Sequence, residues 1–255
     1  MPGWRRGRPL KRWHYLGVYT PEVMVCVGDA RVGPARQCFW AIVLPDGRLR
    51  ERTTMRRGGV RMGPTRVTVD AGEVQIALEV AEPAAVETIS PAHGGYAWTA
   101  KRAPVGVRGT VVVGRDRHEI DGPVGFVDES AGYHDRHTAW RWSAGVGRAD
   151  SGEAVAWNLV EGIHDDPQVS ERTVWVDGEP REIGPNVFAP DLSAVTFAEG
   201  GRLDFTEWAV RSEDTDLWLV KSHYRQPFGT FAGELPGGLV LASGHGVMEE
   251  HDAVW

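Results

Sequence analysis

The sequence predicts an all-β protein of antiparallel sheet, and three observations carry that expectation. Scanning the 255 residues for apolar positions at helical spacing returns almost nothing. The apolar runs are short, β-branched or aromatic, and closed by Gly, Pro, Asp or Asn. The 32 glycines are spread singly and in pairs, as turns between many short strands place them. A dozen strands expose many edges, and closure into barrels is the usual way to hide them.

In chain order, "YLGVY" (15–19), "VMVCVG" (23–28) and "CFWAIVL" (38–44) open the series, and "LPDGRL" after them carries an Asp-Gly hairpin signal. "RVTV" (66–69), "VQIALEV" (74–80), "YAWTAKR" (96–102) and "RGTVVVG" (108–114) follow. "AWRWSAGVG" (139–147) and "AVAWNLVEG" (154–162) are joined by the Ser-Gly turn of "RADSGEAV". "RTVWVDG" (172–178) ends on a second Asp-Gly, and "RLDFTEWAV" (202–210), "LWLVKSHYR" (217–225) and "GHGVMEEHDAVW" (244–255) complete the set. Composition shifts across "EIDGPVGFVDES" (119–130), from arginine-rich strands to strands rich in tryptophan and acid. That shift suggests two β-rich units, residues 1–125 and 126–255.

Residues 1–66 carry 14 Lys and Arg against 4 Asp and Glu, although the whole chain has a net charge of −7. The expected use of this excess is pairing with the acidic remainder, because no zinc-finger, helix-turn-helix or RNA-binding signature accompanies it. Nucleic acid is not an expected partner. The two cysteines, Cys26 and Cys38, sit in apolar runs and read as buried free thiols, with a hairpin disulfide as the alternative. The basic "MPGWRRGRPLKRW" is not followed by an apolar stretch of signal-peptide length, and no segment has the apolar length of a membrane span. A cytoplasmic location is expected. No Gly-rich phosphate loop or GxSxG elbow is present, so neither a nucleotide cofactor nor serine hydrolase chemistry is expected.

The densest stretch is "GYHDRHTAWRW", Gly132 to Trp142. Read as one strand, it places Tyr133, Asp135, His137, Arg141 and Ser143 on one face and His134, Trp140, Trp142, Ala144 and Val146 on the other. Tyr133, Asp135 and His137 are therefore candidate catalytic residues, with the carboxylate orienting the imidazole and favouring its protonated form. The alternative is a structural ion pair of Asp135 with Arg141. His134 and His137 lie three apart, which on a strand separates them to opposite faces, and no cysteine joins them, so no metal centre is expected. Asn158 sits in an apolar run and must either knit strands together or face a ligand. His223 and Arg225 share one face of their strand, with Ser222, Tyr224 and Gln226 opposite. His245, Val247, Glu249 and His251 share a face of the last strand. The candidate binding residues are His134, Trp140, Arg141, Trp142, Trp157, Asn158, Arg225, Gln226, Glu249 and His251.

The series "KRWHYLGVY", "FWAIVLPDGRLRERT", "AGYHDRHTAWRWSAGVG", "VAWNLVEGIHD", "SERTVWVDGEP" and "YRQPFGTFAGELPGG" resembles the bacterial family called domain of unknown function 2804. More distantly, "GYHDRHTAWRWSAGVG" is similar to a segment of carotenoid hydratases, tocopherol cyclases and fungal Diels–Alder cyclases, which are two-domain calycins. That resemblance implies two lipocalin-like barrels or half-barrels packed together around an apolar ligand. Tyr133, His134, Asp135, Trp140 and Trp142 match its motif, whereas Arg136 and His137 replace a His–Asn pair. Two functions follow as expectations. The first is an acid–base enzyme of hydratase, isomerase or cyclase type that needs no cofactor and acts on a hydrophobic isoprenoid, polyene or polyketide. The alternative is a non-catalytic carrier of such a molecule.

Overall fold

The computed structural model describes residues 1–255 apart from 56, 57, 93, 94, 167, 168, 218, 219 and 255. Among the described residues every regular element is a β-strand, every pairing of strands is antiparallel, and no helix is long and apolar enough to cross a membrane. A short hairpin, β1 (Trp4–Arg5) and β2 (Arg8–Pro9), precedes two large sheets. The first sheet holds β3 (Lys11–Tyr19), β4 (Met24–Val32), β5 (Ala35–Val43), β6 (Leu49–Thr54), β7 (Val60–Met62), β8 (Arg66–Ala71), β9 (Val74–Val80), β10 (Val86–Ala92), β11 (Gly95–Val113) and β12 (Asp116–Gly132). The second holds β13 (His137–Ala149), β14 (Ala154–Glu161), β15 (Thr173–Val176), β16 (Glu179–Glu182), β17 (Asn186–Phe188), β18 (Ala194–Phe197), β19 (Arg202–Leu217), β20 (Val220–Leu235) and β21 (Leu239–Val254).

Strand order in the first sheet is β6-β5-β4-β3-β12-β11-β9-β8-β7, with β10 also on β11; in the second it is β16-β15-β14-β13-β21-β20-β19-β18-β17. Both sheets curl, because β7 returns towards β4 and β5, and β17 returns towards β14. Curling gives each sheet its own apolar interior. Leu16, Val18, Val27, Ile42 and Ile76 fill the first, and Trp157, Leu159, Phe188, Phe231 and Met248 the second. A third core lies between the sheets, where Tyr15, Met24, Phe126, Trp142, Trp175, Phe228 and Val247 pack. Strands such as β3 and β13 therefore bury both faces, one in their own sheet's interior and one against the other sheet.

The hairpin signals act as their chemistry requires. At "VDGE" both Asp177 (φ 50°) and Gly178 (φ 85°) take positive φ, the requirement of a tight type I′ turn. Gly28 makes room for a different reason: a Cβ there would strike the ring of Phe39 on the neighbouring strand. The separate runs 96–102 and 108–114 form one strand, β11, whose register with β12 shifts around Pro104. The stretch 119–130, where composition shifts, lies inside β12. Of the run 217–225, positions 218 and 219 lie outside the described residues.

The stretch 133–136 differs from the reading of it as strand. β12 ends at Gly132, β13 begins at His137, and the residues between carry the chain from one sheet to the other. Alternation holds only from His137 onward, so Tyr133, Asp135 and His137 do not share a strand face. Cys26 and Cys38 are buried free thiols, as the first reading of them held. Part of the N-terminal arginine excess is met nearby: Arg31 and Arg36 bind Asp29, and Arg48 binds Asp46 and Asp116.

Candidate functional site

A cavity of about 590 Å³ opens between the two sheets, walled by Trp13, Tyr15, Phe39, Trp140, Trp142 and Ile163. A larger hollow of about 730 Å³ is lined by first-sheet residues that include Arg66, Glu79, Arg108 and Asp121. Its charges are exposed and Arg108 already binds Asp121, whereas the cavity between the sheets brings buried ionisable groups against an apolar wall. The latter is the candidate site.

The first polar pole comes from the second sheet. Glu249 on β21 stands opposite Trp142 on β13, with Trp140 and Tyr224 at diagonal positions on the flanking strands. Trp140 Nε1 donates to Glu249 Oε1 at 2.9 Å, while the Tyr224 hydroxyl and Gln226 Nε2 each donate to Oε2 at 2.9 Å. Burial raises the proton affinity of Glu249, and the bonds from Trp140 and Tyr224 only partly oppose this. Pro227 lacks the N–H that would continue the ladder beside Gln226. The β20–β21 pairs Arg225–Glu250 and Phe228–Val247 flank that interruption. His251, two residues along the same face, packs its ring on Trp140 and Tyr224, and its Nε2 lies 2.8 Å from Ser222 Oγ. Burial pushes His251 down to about 4, so it stays neutral at physiological pH.

The second pole comes from the first sheet and the segment that leads into β15. Lys101 and Asp128 are cross-strand partners on β11 and β12, as are Thr99 and Ser130. Lys101 Nζ lies 2.6 Å from Asp128 Oδ1 and 3.4 Å from Glu171 Oε1; the Lys101 and Glu171 side chains are buried and Asp128 is 13% exposed. Burial works against the charged lysine, but the two carboxyls outweigh it and hold its pKa above the usual value. Burial pushes Asp128 up. It acts the same way on Glu171, where Lys101 and His164 reverse the outcome and bring the pKa below the carboxylate range. Arg211 closes the wall, stacked over Phe39 (4.4 Å) and Tyr224 (4.9 Å) and donating to Thr53 of the first sheet at 3.0 Å.

Four of the residues singled out from sequence line this cavity: Trp140, Trp142, Glu249 and His251. Two more act one step behind the wall. Asn158 accepts from Trp142 Nε1 at 2.8 Å and donates to the Glu171 carbonyl at 2.7 Å, fixing a ring of one pole against the backbone of the other. Gln226 supports Glu249, as described. His134 is stacked on Trp13 with ring centroids 5.2 Å apart and edges on His164; burial pushes it down to about 3.

The other candidates are placed elsewhere. The Tyr133 hydroxyl donates to the Pro2 carbonyl at 2.6 Å, and its ring is sealed under the N-terminal segment against Tyr96. Asp135 binds Arg8 at the molecular surface. His137 is 63% exposed and pairs with Asp252 rather than Asp135. Trp157 fills the interior of the second sheet, with its Nε1 on Ser143. Arg141 pairs with Glu250 across β13–β21, and Arg225 with Glu207, and none of the four lines the cavity between the sheets. The assignment of proton transfer to Tyr133, Asp135 and His137 is therefore revised: the turn between sheets points them to three different surroundings. Sequence reasoning did not make candidates of Lys101, Asp128, Ser130, Arg211 and Glu171, and it placed Tyr224 beside Gln226 on a strand face without giving it a role. The available signal was a polar residue at alternate positions of otherwise apolar strands, Thr99 and Lys101 on β11 and Asp128 and Ser130 on β12.

Fold and site define an all-β protein of two lipocalin-like antiparallel sheets, packed face to face around an apolar cavity with buried carboxyls. The chain belongs to the family described as domain of unknown function 2804 (DUF2804), whose sequence model matches residues 51–255. Among solved structures it is similar to a protein named as an AttH candidate from Nitrosomonas europaea (TM-score 0.61, 14% identity, 97% of this chain and 94% of that one). It is also similar to kievitone hydratase from Nectria haematococca (TM-score 0.56, 8% identity, covering 96% and 88%) and to CghA (TM-score 0.51, 13% identity, covering 95% and 87%). No curated protein sequence matches the chain. At such identities the likeness is one of fold.

Proposed function

We propose that the protein is an acid–base enzyme of the hydratase, isomerase or cyclase type, acting on a hydrophobic small molecule in the cavity between the sheets. Glu249 delivers the proton. The observation that carries this reading is a buried carboxyl of raised proton affinity, held in one orientation by three uncharged donors beside two indole rings. A neutral carboxyl at the wall of an apolar cavity can protonate a carbon–carbon double bond, becoming a carboxylate while the substrate becomes a carbocation. The faces of Trp140 and Trp142 stabilise that cation. Return of a neighbouring proton to Glu249 completes an isomerisation. Capture by water, whose extra proton passes to Glu249, completes a hydration. Capture by an internal double bond closes a ring and forms a new cation, whose loss of an adjacent proton to Glu249 completes a cyclisation. The name hydratase carried by one structural neighbour agrees with this reading by analogy of fold.

The test is native mass spectrometry of the purified protein, with release of any bound small molecule and its return to fresh protein. Conversion by the wild type and none by Glu249→Gln supports the enzyme. A molecule recovered unchanged from both supports a carrier, for which the aromatic walls alone suffice.

A further inference from the structure

We infer that the pole formed by Ser130, Lys101 and Glu171 is a head-group subsite for a neutral hydroxyl, so that the ligand is an apolar alcohol or phenol and not a carboxylic acid. This deepens the proposed function and rests on the same cavity. Three buried side chains there, Thr99 (1% exposed), Ser130 (4%) and Glu171 (3%), line the cavity and each keep an oxygen without a hydrogen-bond partner: Thr99 Oγ1, Ser130 Oγ and Glu171 Oε2. Buried polar atoms are nearly always satisfied, so orphans on a cavity wall mark where a ligand's polar atom belongs. The second oxygen of Glu171 is already engaged by Lys101, which leaves Oε2 as the acceptor of a cavity-lining carboxylate.

The charge count at this pole selects the head group. Two carboxyls, Asp128 and Glu171, share one ammonium, Lys101. A carboxylate or phosphate would add a further anion to a desolvated pole that has none to spare. An ammonium would meet Lys101 beside the same carboxylate. A hydroxyl can satisfy Glu171 Oε2 together with one of the two wall hydroxyls: it donates to Glu171 Oε2 and accepts from Ser130 Oγ. Asn158 holds the Glu171 backbone in place from behind. Because Trp140 and Glu249 line the same cavity, a substrate anchored here by its hydroxyl can present its apolar body to the proton donor.

The experiment compares three aromatic probes of one skeleton, naphthalene, 2-naphthol and 2-naphthoate, binding at pH 7 to the full chain by quenching of tryptophan fluorescence. The expected order is 2-naphthol about tenfold or more tighter than naphthalene, as a hydrogen bond to a charged acceptor supplies, with 2-naphthoate weakest. Ser130→Ala, a mild change, should remove most of the preference for naphthol and leave naphthalene binding unchanged; Glu171→Gln should lower it further. Equal binding of naphthol and naphthalene overturns the subsite but leaves the acid–base reading standing, since the apolar cavity would still be filled. Tightest binding of 2-naphthoate overturns it in favour of an anion site. Failure of all three probes to bind overturns the subsite and the cavity-based function together.

Discussion

Replacing Lys101 by Met removes the cation shared by Asp128 and Glu171 while keeping most of the side-chain volume. The geometry sets the magnitude. Lys101 lies 2.6 and 3.4 Å from the two carboxyls; Lys101 and Glu171 are buried, and Asp128 keeps only 13% of its side-chain surface exposed. Removing one partner of such a buried set costs about 3–5 kcal/mol, because the remaining charges cannot be resolvated. In a chain of this size that corresponds to a fall in Tm of about 6–20 °C. The loss also has a pH signature. Without the ammonium, Asp128 and Glu171 titrate above their unfolded values of about 3.9 and 4.3. A group with a raised folded pKa stabilises below its unfolded pKa, and that contribution is lost as pH rises through the folded one. The deficit should therefore be small near pH 4 and complete at neutral pH. Urea unfolding of wild type and variant at about pH 4 and at about pH 8 measures it. A second substitution, Asp128→Asn, should restore part of the stability to the Lys101→Met variant. A deficit that is the same at both pH values, or below about 1 kcal/mol at pH 8, would refute the reasoning and leave Lys101 as ordinary packing.

Three further outcomes follow from the geometry. Asn158→Leu strands the Trp142 indole N–H in a dry interior, while the Glu171 carbonyl keeps its bond from Thr173 Oγ1, so the change should cost about 1–3 kcal/mol in urea unfolding; a loss under about 0.5 kcal/mol would contradict the bridge. His134 is pushed down to about 3, so its neutral form stabilises the fold above pH 6.5 and that contribution is lost as acid approaches the folded value. His134→Phe should match the wild type at pH 7 and exceed it at about pH 5, and a variant weaker at pH 5 would count against this origin of the acid limb. Asp135→Asn and His137→Ala, each breaking an exposed or half-exposed pair, should shift stability by no more than about 1 kcal/mol and leave conversion of the extracted ligand intact; loss of conversion in either would return catalysis to the turn between the sheets.

How far the site could be read from sequence follows from where its residues sit along the chain. Alternation within a single strand was legible: Glu249 and His251 share a face of β21, and Trp140 and Trp142 share a face of β13, and both pairs reach the cavity. The requirement that a buried Asn find partners was legible as well, and at Asn158 it resolved into a knit between strands. What alternation cannot reveal is where one sheet stops and the next begins, because Tyr133 to Arg136 carries no Gly or Pro to mark the crossing. Extending the strand period through that turn placed Asp135 and His137 together, although each ends on its own surface partner. Nor can one strand announce its neighbour across an interface. Lys101 and Asp128 meet by hairpin register and Glu171 joins them from the other sheet, a contact set by packing alone.

The central claim is that Glu249 passes a proton to carbon in the cavity between the sheets. Its most direct test is mass spectrometry of the ligand released from the protein, after incubation with fresh enzyme in deuterium oxide. The account predicts deuterium bound at carbon after exposure to the wild type, and a loss of about 100-fold or more in that exchange with Glu249→Gln. Exchange at the same rate in Glu249→Gln, or an unlabelled ligand after full occupancy of the wild type, would contradict it.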